Sequence, residues 1–383
     1  TANMIRSASS RLSPMTAGPD RPAMTDRIKE AIVSLLPFLK KKETAEVSTS
    51  SPALEAFLKG YSIEVMPRTA EKVEDFRELL PKGTRVYIAN IEFPIEDMVA
   101  TAKRLRDEGF EPMPHFPARI IKDKAMLADW LARYQGEAGV SEGLIIAGNP
   151  AQQLGQFDSS MQLLETGLFD KAGFKRLHIA GHPEGNKDID PDGSDKNVMD
   201  ALRWKQKFSE TTDAKMALAT QFCFEAKPVI AWANALKDAG IDLPIHIGVA
   251  GPAKLQTLIK FAMACGVGPS LRVLQKRAMD VTKLLLPYEP DEFLNELAAH
   301  AAKTPDFNIE QVHFFPLGGI KTNAQWCIDN GGKSAVNITA AALSPLNPST
   351  ELVIPNRATR DCMDCNVIPV LPSPDPASPT TIP

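Results

Sequence analysis

The chain has 383 residues, enough for two average domains or for one α/β barrel with tails. Its 43 basic and 47 acidic side chains leave a formal charge of −4 within an ordinary globular composition, which argues against a dedicated nucleic-acid or anionic-membrane surface and for small-molecule partners. Five scattered cysteines make no disulfide framework and point to a reducing cytoplasm, and no apolar run approaches the roughly 18 residues of a membrane span.

Residues 1–50 carry one aromatic, Phe38, among Ser, Thr, Pro and Lys, and are expected to form an N-terminal extension outside the fold. Met24 is a candidate native start, and 25–42 a candidate amphipathic helix; a targeting segment is disfavoured because a sustained arginine pattern is missing. Short apolar runs then follow at 62–65, 85–89, 111–114, 143–147, 176–180, 217–222, 245–249 and 312–315. Stretches of helical period lie between them, among them 70–80, 95–108, 124–135, 228–239 and 252–264. Eight such alternations predict an α/β fold of the (β/α)8 TIM-barrel type over 51–330, with an extra N-terminal helix. A doubly wound sheet is the rival, disfavoured because the first strand is not followed by Gly-x-Gly-x-x-Gly. Residues 331–383 hold no Phe, Trp or Tyr but nine of the 31 prolines, the composition of an irregular tail.

A barrel of this kind carries its site at the carboxyl ends of the strands, and the residues there are polar. Strand 1 offers Glu64, strand 3 leads to His115, and strand 4 to Ala147-Gly148-Asn149-Pro150. Strand 5 leads to Gly181-His182-Pro183-Glu184, strand 6 to Thr220-Gln221, and strand 8 is expected to begin at His313. Two weaker signals fall elsewhere. Cys362-Met363-Asp364-Cys365 is a lone Cys-x-x-Cys without the second pair a zinc site needs, and no metal is expected. The acidic run from Asp188 to Asp195 lacks the closing Glu of a calcium loop and reads as a solvated loop.

The strand ends resemble those of the methylenetetrahydrofolate reductase family, flavin-dependent barrel enzymes of one-carbon metabolism, from about residue 62 to 326. Ser62-Ile63-Glu64-Val65-Met66-Pro67-Arg68-Thr69 is similar to the family's Ser-Phe-Glu-Phe-Phe-Pro-Pro-Arg-Thr, and Pro114-His115 to its Pro-His. His182-Pro183-Glu184 resembles Tyr-Pro-Glu, and Ala219-Thr220-Gln221-Phe222-Cys223-Phe224 resembles Ile-Thr-Gln-Phe-Phe-Phe. Ile247-Gly248-Val249 and His313-Phe314-Phe315-Pro316-Leu317 are similar to Pro-Gly-Ile and His-Phe-Tyr-Thr-Leu.

The resemblance implies an NAD(P)H-dependent oxidoreductase that interconverts 5,10-methylene- and 5-methyltetrahydrofolate, with FAD as cofactor. Glu64 is then the general acid, and a half-buried carboxyl with a raised pKa suits that task at neutral pH. Gln221, Asn149, Phe222 and Gln256 are the implied substrate contacts; His115, Gly148, His182 and the helix segment Arg203, Lys205 and Lys207 are those of the flavin. Two departures limit the transfer: the family's Arg-Gly-Asp is Ala147-Gly148-Asn149 here, and an Asn-Arg pair is Gly318-Gly319. A flavin-free folate-dependent methyltransferase and a non-catalytic folate-binding barrel are therefore the alternatives. A homo-oligomer is compatible with either.

Overall fold

Each of the eight apolar runs becomes a strand: β1 (Ser62–Val65), β2 (Arg85–Ile88), β3 (Glu111–Pro117), β4 (Glu142–Ile146), β5 (Arg176–Gly181), β6 (Lys215–Cys223), β7 (Ile245–Ala250) and β8 (Ile309–Phe315). The computed structural model describes residues 51–91, 93–148, 150, 152–265, 268–279 and 286–332. The expected extension 1–50, the tail beyond 332 with Cys362 and Cys365, and Asn149 all lie outside the described residues. Every strand runs parallel to its predecessor, and β8 closes on β1 through Ser62↔His313 and Ile63↔Phe314, giving a closed (β/α)8 barrel. Among the described residues no helix is long and apolar enough to cross a membrane.

Parallel strands covered on one face by helices and on the other by the barrel core read as unbroken apolar runs, and all six residues of β7 are buried. The outer helices each bury one stripe. Helix Ile95–Asp107 buries Met98, Val99, Ala102 and Leu105, the spacing of one helical face. Helix Lys124–Ala138 starts where Asp123 accepts from the Met126 N–H at 2.8 Å and stops at Gly139, whose φ of 60° ends the helix in the left-handed region. A short helix, Pro52–Phe57, precedes β1 and is capped by the Ser51 hydroxyl.

The expected helix at 70–80 does not form. Only a turn at Pro67–Ala70 and a 3-10 turn at Phe76–Glu78 are present, because Arg104 takes the carbonyls a helix would use: those of Ala70 (2.9 Å), Val73 (2.5 Å) and Glu74 (3.0 Å). Glu108 accepts the Phe76 N–H, and Asp75 accepts that of Arg77. The helix expected from 252 starts at Leu255 instead, since Ala253 is held in an antiparallel bridge to Tyr288. Strand 8 begins four residues before His313, at Ile309, which places that histidine inside the barrel.

Side-chain alternation stacks the interior in rings drawn from alternate strands. The lowest ring joins Arg85 to Glu142 (2.6 and 3.3 Å) and to Gln311 (3.3 Å). Above it lie Ser62, Met113, His178 and His246, then Tyr87, Leu144, Ala219 and His313, and at the carboxyl mouth Glu64 and His115. Barrels of this type ordinarily fill these rings with branched aliphatic side chains. Here Tyr87 bonds His178, the rings of His178 and His246 lie 4.4 Å apart at 73°, and His246 reaches Glu310 at 3.1 Å. The polar core therefore runs from the amino-terminal face to the mouth.

Candidate functional site

Glu64 stands at the mouth on β1, between His115 of β3 and His313 of β8. Its Oε2 is 3.2 Å from His115 Nε2 and 3.8 Å from His313 Nε2, and its side chain is 18% exposed, enough to meet a ligand. Burial pushes the carboxyl up, but the two imidazoles outweigh burial and hold it at about 2. The raised pKa expected from sequence is thus corrected: Glu64 rests as a carboxylate, because two rings from strands remote in sequence face it. The His115 contact is short but poorly aligned, so it acts as an electrostatic contact more than as a formed hydrogen bond.

The β6 end breaks its ladder. Ala219 pairs with His246 and Phe222 with Gly248, so β6 carries one extra residue around Thr220 and Gln221. Two close approaches hold this bulge. The Gly248 N–H donates to Thr220 Oγ1 at 2.8 Å, and a Cβ on Gly248 would fall 2.5 Å from the carbonyls of Thr220 and Gln221. Gln221 is half-buried, and its Oε1 accepts from the Phe222 N–H at 3.1 Å, while its amide NH2 has no partner among the described residues. Phe222 is packed edge-on against Phe224 and Phe315, within an apolar cluster that includes Leu255, Leu258 and Tyr288. Gln256 is exposed on helix Leu255–Ala264.

At the β4 end Gly148 has φ 98°, and a Cβ there would lie 2.8 Å from that of Pro117, so the turn admits only glycine. After β5, His182 is half-buried, and burial together with the Lys205 charge lowers it to about 4. Helix Lys196–Ser209 buries Val198, Leu202 and Lys205 and turns Arg203 and Lys207 to solvent, where Arg203 pairs with Asp200. The Lys205 ammonium is buried beneath the β5 end with one long contact, 3.5 Å to the Ala180 carbonyl, and burial lowers it to about 8. No carboxylate among the described residues neutralises it.

The acidic loop has a structural task. Asp190 is buried, and its carboxylate accepts the N–H groups of Asn197 and Val198, both at 3.0 Å, capping the helix that carries Lys205. Glu184 accepts from Ser270 N–H and Oγ, tying the loop after β5 to helix Gly268–Ala278. The two glycines after β8 are steric requirements: a Cβ on Gly318 would sit 2.0 Å from the Pro252 carbonyl, and Gly319 has φ 106°.

The structure thus brings Glu64 to His115 and Lys205 to His182. Gln221 lies at the β6 bulge, while Gln256, Arg203 and Lys207 project to solvent. Sequence reasoning missed Tyr87, His178, His246 and Asp190. Their signal was a polar residue at an inward position of an otherwise apolar strand, or ahead of a helix start.

No protein-family model matches the sequence. Among solved structures, an uncharacterized protein from Clostridium thermocellum, described as binding two copies of 5-methyl-5,6,7,8-tetrahydrofolic acid, aligns with a TM-score of 0.45 and 12% identity, over 72% of this chain and 96% of its own. At that level neither family nor ligand transfers.

Proposed function

We propose that the barrel mouth binds a reduced folate and interconverts 5,10-methylene- and 5-methyltetrahydrofolate by hydride transfer. The observation that carries this reading is Glu64, a strand-end carboxylate held between two imidazoles, within a chain whose strand ends resemble the reductase motifs in order.

Opening the five-membered ring of the substrate needs a proton on a weakly basic nitrogen, and leaves an iminium that accepts hydride at the methylene carbon to become the methyl group. Because Glu64 rests ionised, it must gain a proton on ligand binding before it can act as the acid. Ligand binding strips water from Glu64 and raises its proton affinity, so that the carboxyl takes up a proton from solvent, passes it to the substrate nitrogen and returns to the carboxylate held by the two imidazoles. The NH2 of Gln221, without a partner among the described residues, suits the acceptor edge of a pterin, with Asn149 and Gln256 as further substrate contacts and Phe222 packed behind them. Lys205, a buried ammonium without a counterion among the described residues, would hold a phosphate of a dinucleotide such as FAD, with His115, Gly148, His182, Arg203 and Lys207 as further contacts. When bound, FAD or NAD(P)H supplies the hydride.

The low proton affinity of Glu64 also favours a second reading, in which the carboxylate only accepts hydrogen bonds from a pterin, in flavin-free methyl transfer or in binding without turnover. Equilibrium binding of 5-methyltetrahydrofolate, followed by addition of FAD and a visible spectrum, tests both. Saturable folate binding with a shifted flavin band supports the first; folate binding without flavin uptake supports the second. No folate binding refutes both.

A further inference from the structure

We infer that Ser62 fixes His313 as the Nε2–H tautomer, so that this histidine presents an N–H to Glu64 and acts as a positioning residue for its carboxylate. The inference deepens, and rests on, the reading of Glu64 as the reacting group.

Ser62 and His313 are register partners where β8 closes on β1. Both are buried, at 0% and 1% exposure, and Ser62 Oγ lies 3.0 Å from His313 Nδ1. That is the hydroxyl's one hydrogen bond among the described residues. A hydroxyl has a single proton to donate, and the neutral imidazole has one donor and one acceptor nitrogen. If Nδ1 carried the ring proton, Ser62 would accept and its own buried O–H would be left without an acceptor. In that state Nε2 would also turn a lone pair toward the Glu64 carboxylate 3.8 Å away. If Ser62 donates instead, the ring proton lies on Nε2 and both contacts are favourable. One unsatisfied buried donor alone biases such an equilibrium roughly tenfold or more.

Ring rotation offers no escape. The imidazole lies against Tyr87, centroids 4.1 Å apart, and against Phe315 at 4.8 Å, while Tyr87 is itself anchored by His178. Burial also lowers the His313 pKa against the opposing pull of Glu64, so the ring is neutral and its tautomer decides what Glu64 sees. At 3.8 Å the Nε2 to Oε2 contact is longer than a formed hydrogen bond, as catalytic contacts are before a ligand tightens the site.

The test is a long-range proton–nitrogen correlation spectrum of the full chain carrying nitrogen-15 histidine, which distinguishes the two neutral tautomers and the imidazolium. His313→Gln assigns the signal. The wild type is expected to show His313 as Nε2–H at neutral pH. Ser62→Ala is expected to shift it toward a mixture, and Ser62→Thr, which restores the hydroxyl, to return it. An Nδ1–H or doubly protonated His313 in the wild type, or an unchanged tautomer in Ser62→Ala, overturns the inference. Turnover is read separately: Ser62→Ala is expected to lose about tenfold in kcat with KM unchanged, as for a misdirected proton-handling group. A correct tautomer in a wild type without turnover refutes the proposed reaction and leaves the tautomer assignment standing.

Discussion

Replacing Glu64 by Gln keeps the shape of the side chain and removes its titration, so the stability difference between the two proteins reports the Glu64 charge and its coupling to the two imidazoles. In the folded chain the carboxyl is held at about 2, against an ordinary 4.5. Because the folded value is depressed, the ionised carboxylate stabilises the fold above pH 4.5, and that contribution fades as pH falls from there toward 2. The full effect is on the order of 3 kcal/mol, because the side chain is only 18% exposed and little screened by solvent. Between pH 7 and pH 3.5 the wild type should lose about 1 kcal/mol relative to Glu64→Gln, most of it below pH 4.5. Urea unfolding of both proteins at matched ionic strength across that range measures the difference directly. A difference that stays constant, or one that grows as the pH falls, would refute the claim that the two imidazoles hold Glu64 ionised.

The other expectations are more local. Lys205→Gln should weaken binding of FAD or inorganic pyrophosphate by about tenfold or more, and Lys207→Gln, at the exposed edge, by clearly less, as read by fluorescence titration. In the wild type that binding should weaken as pH rises through about 8, where the buried ammonium loses its proton; a profile flat to pH 10 would contradict the assignment. Asp190→Ala removes the cap on two helix N–H groups and should cost about 1–2 kcal/mol, with faster amide exchange at Asn197 and Val198. Gly318→Ala drives a methyl into the Pro252 carbonyl and should cost about 3 kcal/mol by urea midpoint; a neutral substitution would show that the β8 turn is loosely held.

The barrel was legible because its signal is repeated and local: eight apolar runs, each bounded by helical period, allow few other closures. Lys205 reads in the sequence only as one of three basic residues on a helix segment, although the pattern to separate it is present. Its spacing from Val198 and Leu202 is that of one buried helical face, and this separates it from Arg203 and Lys207. The helix expected at 70–80 failed on a contact from more than 30 residues away, since nothing within the segment announces that Arg104 will take its carbonyls. The protonation of Glu64 was illegible for the same reason. A carboxyl on β1 reads as a half-buried acid until the closure of β8 onto β1 brings His313 to it, 249 positions along the chain. Alternation marks His178 and His246 as inward, but that Tyr87 and a second imidazole meet them is a product of the ring stacking.

The central claim is that Glu64 handles the proton of a reduced-folate hydride transfer at the barrel mouth. Anaerobic mixing of methylenetetrahydrofolate with NADH or NADPH, with FAD present, and comparison of wild type with Glu64→Gln tests it most directly. The account predicts product 5-methyltetrahydrofolate and nicotinamide oxidation in the wild type, and lost turnover with retained 5-methyltetrahydrofolate binding in Glu64→Gln. Equal rates in the two proteins, or a wild type that binds the folate and never turns over, would contradict it.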